Sequence, residues 1–241
     1  MTTTFKHMFF GWLEAEARRW TNPDGSEGGI VAIDATVHAS VAVPADACIG
    51  PRASIGYGAS IGPGASIGYG ASIGYGASIG PRASIGPRAS IGYGASIGNG
   101  ASIGPRASIG DGASIGDGAS IGYGASIGDR ASIGPRASIG PRASIGYGAS
   151  IGYGDWFTTV GPLGSRFAMS LAVYSPEQGL RWWVGCQHGI STDMLLARVN
   201  STHGDNDHGQ DYRAAIAYVE AHPGLARARA KAGAGSMDGG A

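Results

Sequence analysis

Seventeen copies of Ala-Ser-Ile-Gly follow one another every six residues from Ala53 to Gly152. Only the two residues between copies vary, as Pro-Arg, Tyr-Gly, Asp-Gly, Asn-Gly, Pro-Gly or Asp-Arg. A short fixed period of this kind marks a solenoid. In a strand successive side chains point to opposite faces, so Ala and Ile share one face and Ser and Gly the other. Ile is the one large apolar residue of the unit, and the Ala/Ile face is therefore the buried one. The variable pairs are turn dipeptides, with Gly supplying positive φ and Pro fixing its own φ in the range a turn needs. Four strand residues and a two-residue corner of uniform polarity cannot form a hairpin meander. They can form a parallel β-helix, in which each strand pairs with its equivalent one coil away.

The frame extends upstream. Val31, Val37, Val43 and Ile49 fall on the Ile position, giving 21 positions from Val31 to Ile151. Three hexapeptides per triangular coil make about seven coils, roughly 34 Å long at strand-pairing distance. Burying each Ile stabilises by about 1.5–3 kcal/mol. Each strand glycine costs about 0.5–1 kcal/mol, so contact between neighbouring coils carries the balance. The 45 glycines come mostly from the repeat.

Ile-Gly-x-x-Ala-Ser resembles the hexapeptide "isoleucine patch" repeat. That resemblance implies a mostly β chain built on a left-handed parallel β-helix with three hexapeptides to the coil. It also brings in a reaction, because many such proteins are acyl-CoA-dependent acyltransferases, often trimers, with a loop or coil His as general base in a cleft between subunits. This sequence departs from that plan. No insertion interrupts Ala47 to Gly154, and the one His near the coils is His38. Acyl transfer with acyl-CoA as cofactor is therefore the alternative to a non-enzymatic scaffold without catalytic residues or cofactor. The Ser/Gly faces also offer little apolar surface for a homo-oligomer. Their regular hydroxyl lattice resembles that of ice-binding β-helices, a minor alternative, although those present Thr rather than Ser.

Four segments follow: 1–28, an N-terminal capping helix and turn; 29–154, the β-helix; 155–223, a small α+β module; and 224–241, a disordered tail. Phe5, Met8, Phe9, Trp12 and Leu13 fall at helical spacing and predict an amphipathic helix over 4–20, covering the first coil. In the module, strands are expected at 157–160, 167–174 and 180–186. Helices are expected at 192–201, with Met194, Leu195 and Val199 inward, and at 211–222, stopped by Pro223-Gly224.

Formal net charge is zero, which argues against a nucleic-acid partner. No run of about 18 apolar residues predicts a membrane span. Without a leader-like segment, and with only Cys48 and Cys186, the expectation is a reducing cytoplasm.

Variation, and so any binding chemistry, lies at the corners. Sites three hexapeptides apart stack along one edge. One edge carries Arg52, Arg88, Arg106 and Arg142, suited to a polyanion. A second carries Tyr57, Tyr75, Tyr93 and Tyr147, suited to stacking on a protein or other macromolecule. Alternatively, each dipeptide is only an acceptable turn. In the module, His203, Asp205, Asp207 and His208 offer ligands for a divalent metal, at a spacing that matches no standard finger; an interhelical turn is the other reading. Cys186 with His188 or His203 would make a thiol nucleophile pair. Val160–Arg166, Gly185-Cys186, Thr202–Asn206 and Tyr212–Ile216 resemble segments that follow short repeats in uncharacterised phage and prophage proteins. That implies a phage or bacterial source and a cap or docking module.

Overall fold

A computed structural model describes residues 3–152, 155–163, 168–184 and 187–235. They form two compact units, Met1–Ala143 and Ser144–Ala241. The chain is mostly β, and its described residues form a β-solenoid of about seven turns, a small antiparallel sheet and three helices. Among the described residues no helix is long and apolar enough to cross a membrane.

In the first unit each hexapeptide contributes only Ser and Ile as strand, shorter than the stretch from Ala to Gly expected. After β1 (Thr4–Phe9), β2 (Leu13–Thr21), β3 (Glu27–Ala32), β4 (Thr36–Val37) and β5 (Cys48–Ile49), these strands recur from β6 (Ser54–Ile55) at every sixth residue. Pairing is parallel and in register three hexapeptides on, so Ser78 sits between Ser60 and Ser96, and Ile79 between Ile61 and Ile97. Three parallel sheets result, one per side of the coil. The inward assignment holds: Ile and Ala of the unit are at most 5% exposed from Ala53 to Ile133. Identical side chains one strand spacing apart then form continuous columns, the geometry in which branched aliphatics pack best.

Each corner is a turn closed by the Ala N–H on the Gly carbonyl, as from Ala83 to Gly80 at 3.2 Å. The second corner residue has positive φ whether it is Gly or Arg: Gly94 at 60°, Arg82 at 56°. With Pro before it, this is type II geometry. The glycine after Ile is needed for a different reason. A Cβ on Gly80 would lie 2.7 Å from the Gly98 carbonyl carbon and 2.8 Å from Asn99 N, both backbone of the next coil. The outer lattice is therefore serine alone, with the glycine pressed between coils.

The helix expected over 4–20 is instead an antiparallel hairpin. β1 pairs with β2 from Thr4↔Arg18 to Phe9↔Leu13, and β2 pairs with β3, which itself pairs in parallel with β5. The physical reason is backbone accounting. The first coil presents unpaired N–H and C=O groups that a helix can only cover but a strand can satisfy. Leu13-Glu14-Ala15-Glu16-Ala17 also alternates with period two, and Ala17, Trp20 and Phe9 are buried. Trp20 Nε1 donates to the Val41 carbonyl at 2.9 Å, tying the hairpin to the first coil. Phe10 (φ 56°) and Gly11 (φ 73°) make the hairpin turn, and the Phe10 ring lies against Gly50.

The second unit opens with two more repeat strands, β21 (Ser144–Ile145) and β22 (Ser150–Ile151). The antiparallel sheet runs β23 (Trp156–Leu163), β24 (Ala168–Ser175), β25 (Gly179–Val184), β26 (Gln187–Ser191) in sequence order. Then come α1 (Thr192–Thr202), α2 (Asp207–Glu220) and α3 (Pro223–Gly235). Ser191 caps α1 by accepting from the Met194 N–H. Leu195 and Val199 are buried as expected, whereas Met194 is 49% exposed. α2 starts at Asp207, one turn before the expected Asp211, because Asn206 Oδ1 caps the Gly209 N–H at 3.0 Å. Pro223 begins a helix rather than ending one, and Leu225, with no exposed surface, anchors it in the core beside Trp182, Ile216 and Val219. Pro is tolerated at the first helical position because its missing N–H has no intrahelical acceptor there. The tail expected to be disordered is thus helical through Gly235.

Candidate functional site: the arginine and tyrosine corners

Seven arginines stand at corners of the first unit, and all seven have φ between 56° and 58°. In the remaining corners glycine takes that position, as Gly58, Gly64, Gly70, Gly76 and Gly94 do. For an L-residue this conformation costs about 1–2 kcal/mol, and glycine adopts it freely. Turn geometry alone therefore favours glycine at these corners, yet arginine occupies seven of them.

Along the arginine edge Tyr69 and Tyr123 stand among these side chains and engage them. Arg52 Nη1 donates to Tyr69 Oη at 2.8 Å, and Arg106 Nη1 to Tyr123 Oη at 2.7 Å. Tyr69 lies between two guanidiniums, 5.6 Å from Arg52 Cζ and 5.9 Å from Arg88 Cζ. Such exposed cation–π contacts contribute about 0.5–1 kcal/mol each. Gly70, the partner of Tyr69, leaves room for the Arg88 stem, whose Cγ would lie 3.6 Å from a Cβ there. Arg52 also sits 3.9 Å from Asp34, an exposed and weak ion pair. Arg142 occupies the last of these corners at φ 58°.

Tyr57, Tyr75 and Tyr93 form one column, with ring centroids 5.1 and 5.3 Å apart and interplanar angles of 23° and 7°. The His38 ring meets Tyr57 edge-on at 4.9 Å and its Nδ1 contacts Ser40 Oγ at 2.9 Å. The tyrosines are half-exposed, and within the column their faces are turned to one another. The stacking platform for a partner that the sequence suggested is thereby largely used up within the column. Tyr147 belongs to the second unit, where its ring lies 5.4 Å from His188.

The corner aspartates have a structural task that the sequence reading missed. Asp111 Oδ1 accepts from Tyr93 N (2.7 Å), Asp117 Oδ1 from Asn99 N (2.7 Å), and Asp129 Oδ1 from Asp111 N (2.9 Å). Each partner is the first corner residue one coil earlier, whose N–H is free unless that residue is Pro. An Asp one full coil after a non-proline corner was the available signal.

A cavity of about 360 Å³ opens where the hairpin tip meets the arginine edge, lined by Trp12, Leu13, Tyr69, Pro87, Arg88, Pro105 and Arg106. Trp12, placed inward on the expected helix, is 65% exposed at the tip. Cys48, at the serine position of β5 between Ile30 and Ser66, is half-buried, and burial pushes its thiol up to about 11, away from nucleophilic use at neutral pH.

The metal site proposed from sequence is not assembled. His203 caps α1 and stacks on Tyr212 at 5.7 Å, with His208 edge-on at 5.8 Å. Asp205 pairs with Arg213 at 3.0 Å and Asp207 opens α2. Among the described residues no group of three or more His, Cys, Asp or Glu side chains converges to hold a metal. The segment forms the interhelical turn, with Asn206 capping α2, Asp205 paired with Arg213, and the two histidine rings packed on each other and on Tyr212. Cys186 lies outside the described residues.

This architecture and its invariant six-residue period define a hexapeptide-repeat β-solenoid. Residues 94–129 match the model of the bacterial transferase hexapeptide family, described as six repeats. Similar solved structures include the acetyltransferase domain of PglB from Neisseria gonorrhoeae, at 20% identity over 51% of this chain and 53% of that one, with a TM-score of 0.40. The UDP-N-acetylglucosamine acyltransferase from Campylobacter jejuni gives 22% identity over 51% and 62%, with a TM-score of 0.45. A hexapeptide transferase family protein from Anaplasma phagocytophilum gives 20% over 48% and 72%, at 0.37. The chain spans about half the length of the first of these. One further structure of the Neisseria domain is in complex with acetyl coenzyme A. No curated protein matches the chain significantly.

Proposed function

We propose that the protein is a non-enzymatic binding scaffold whose rigid coils present the arginine edge to an acidic protein. One observation carries this reading: along this edge arginine stands in a left-handed turn conformation four times, at Arg52, Arg88, Arg106 and Arg142, where glycine satisfies the same turn at lower cost. The tyrosines of that edge hold Arg52 and Arg106 extended along it. A guanidinium so held loses less rotamer entropy when it meets a carboxylate. The reading includes no resident cofactor, a cytoplasmic site of action and a bacterial or phage source.

A polyglutamate peptide serves as the test partner. It is expected to bind with an affinity that falls as salt rises, and to lose that affinity when Arg52, Arg88, Arg106 and Arg142 are all changed to Gly. Equal binding by that variant overturns the reading. The second reading is acyl transfer from acyl-CoA, within a trimer, favoured by the family description and by the reactions named for the similar structures. Its test is release of free CoA from acetyl-CoA in the presence of amino sugars. Release abolished by His38→Ala, His188→Ala or His203→Ala establishes it in place of the first.

A further inference from the structure

Arg88 and Arg106 are the one place in the solenoid where arginine corners follow in successive coils. Along their edge the corners read Arg52, Gly70, Arg88, Arg106, Gly124, Arg142; on the other two edges every arginine is followed and preceded by glycine. Elsewhere on this edge a tyrosine separates the charges. Here two guanidiniums start one strand spacing apart, about 4.8 Å, with none between. They lean in opposite directions, Arg88 over Tyr69 and Arg106 onto Tyr123 Oη. Like charges repel, and the two heads point apart. Among the described residues neither is paired with a carboxylate, and no acidic residue lines the space between them.

That space is the 360 Å³ cavity, and its remaining walls are aromatic or apolar: the Trp12 indole, the Tyr69 ring, Pro87, Pro105 and Leu13. Trp12 reaches it only because Phe10 and Gly11 turn the hairpin through positive φ. A cleft with two arginines from successive coils on one side and π faces on the other selects a particular chemistry. We infer that the cavity binds an aryl phosphate: a planar aromatic ring lying against Trp12 and Tyr69, with its phosphate dianion between Arg88 and Arg106. A dianion matches two cations, and its three oxygens accept from both forks once Arg88 and Arg106, which lean apart in the free protein, turn toward each other. The inference rests on the reading of this edge as anion-binding and narrows it to one ligand class.

The test is calorimetric titration of the full chain with phenyl phosphate, inorganic phosphate and phenol. Phenyl phosphate is expected to bind at least tenfold more tightly than either fragment. Arg88→Gly and Arg106→Gly keep the turn conformation and are each expected to weaken it tenfold or more without lowering Tm. Trp12→Ser is expected to reduce binding to that of inorganic phosphate, and Arg136→Gly, on another edge, to change nothing. A phosphotyrosine peptide run beside phenyl phosphate distinguishes a protein-borne ring from a free small molecule, the tighter of the two giving the source. Absence of any preference for phenyl phosphate, or equal weakening by Arg136→Gly, overturns the inference. If that happens while polyglutamate still binds, the inference fails alone; loss of both removes the edge as an anion site.

Discussion

Gly80 and Gly140 occupy the same place in the repeat, yet alanine at the two positions is expected to act in opposite directions. At Gly80 the added methyl meets backbone of the next coil at 2.7–2.8 Å. Reaching an ordinary carbon contact of 3.4 Å requires a local opening of about 0.7 Å, the difference of 3.4 and 2.7. The Gly80 N–H to Ile97 carbonyl bond, 2.7 Å long, would then stretch to about 3.4 Å, past the useful range. Overpacking costs about 1–3 kcal/mol and a weakened hydrogen bond about 1 kcal/mol more. The total, about 2–4 kcal/mol, lowers Tm by roughly 4–16 °C for a chain of this size. At Gly140 no atom lies within 4 Å of the same methyl, and φ is not in the left-handed region. There alanine only restricts the unfolded chain, worth about 0.4–1 kcal/mol of added stability. Thermal melts of Gly80→Ala and Gly140→Ala followed by far-UV circular dichroism make the comparison. Shifts of the same sign and size would refute the assignment of this glycine to coil-to-coil approach.

Four further outcomes are expected. Arg82→Gly relieves a left-handed arginine and should raise Tm by about 1–3 °C in the same melts, since glycine's greater unfolded-state entropy offsets only part of the gain. Asp111→Ala removes the acceptor of the Tyr93 N–H and should cost about 0.5–1.5 kcal/mol in urea unfolding, with Asp111→Asn closer to wild type. Ile97→Asp places a carboxylate at a position 1% exposed and should abolish a cooperative melt, whereas Ile97→Val costs about 0.5–1.5 kcal/mol. Cys48, whose thiol is raised to about 11, favours the folded state fully below its unfolded value near 9 and progressively less as pH climbs from 9 through 11. A pH series of melts should show that loss in wild type and not in Cys48→Ser.

Much of the first unit is legible because its interactions are local and repeated. One Ile per hexapeptide and one Ala just before the Ser suffice to assign inside and outside, and the register of one coil on the next follows from three corners. The glycine after Ile was legible as a strand residue but not as a spacer, since the atoms it avoids belong to the next coil. The Asp111–Tyr93 and Arg52–Tyr69 contacts are hidden for the same reason. At the N-terminus Phe5, Met8, Phe9, Trp12 and Leu13 fit a helical period, while Leu13-Glu14-Ala15-Glu16-Ala17 alternates with that of a strand. The exposed edge of the first coil chose between them by supplying backbone partners for β3, which β2 then extends. His203 and Asp205 shared a segment in sequence, but Tyr212 and Arg213 on the next helix claimed them.

The amino-acid order alone determined the solenoid, its coil length and its isoleucine interior, because a period of six leaves a strand-and-corner chain no other way to bury its one large apolar residue. Only the tertiary structure decided that the N-terminal segment is a hairpin, that the tyrosines of one edge face each other, and that Trp12 stands over Arg88 and Arg106. Those outcomes depend on which groups distant in sequence arrive within bonding distance, and no count along the chain contains that distance.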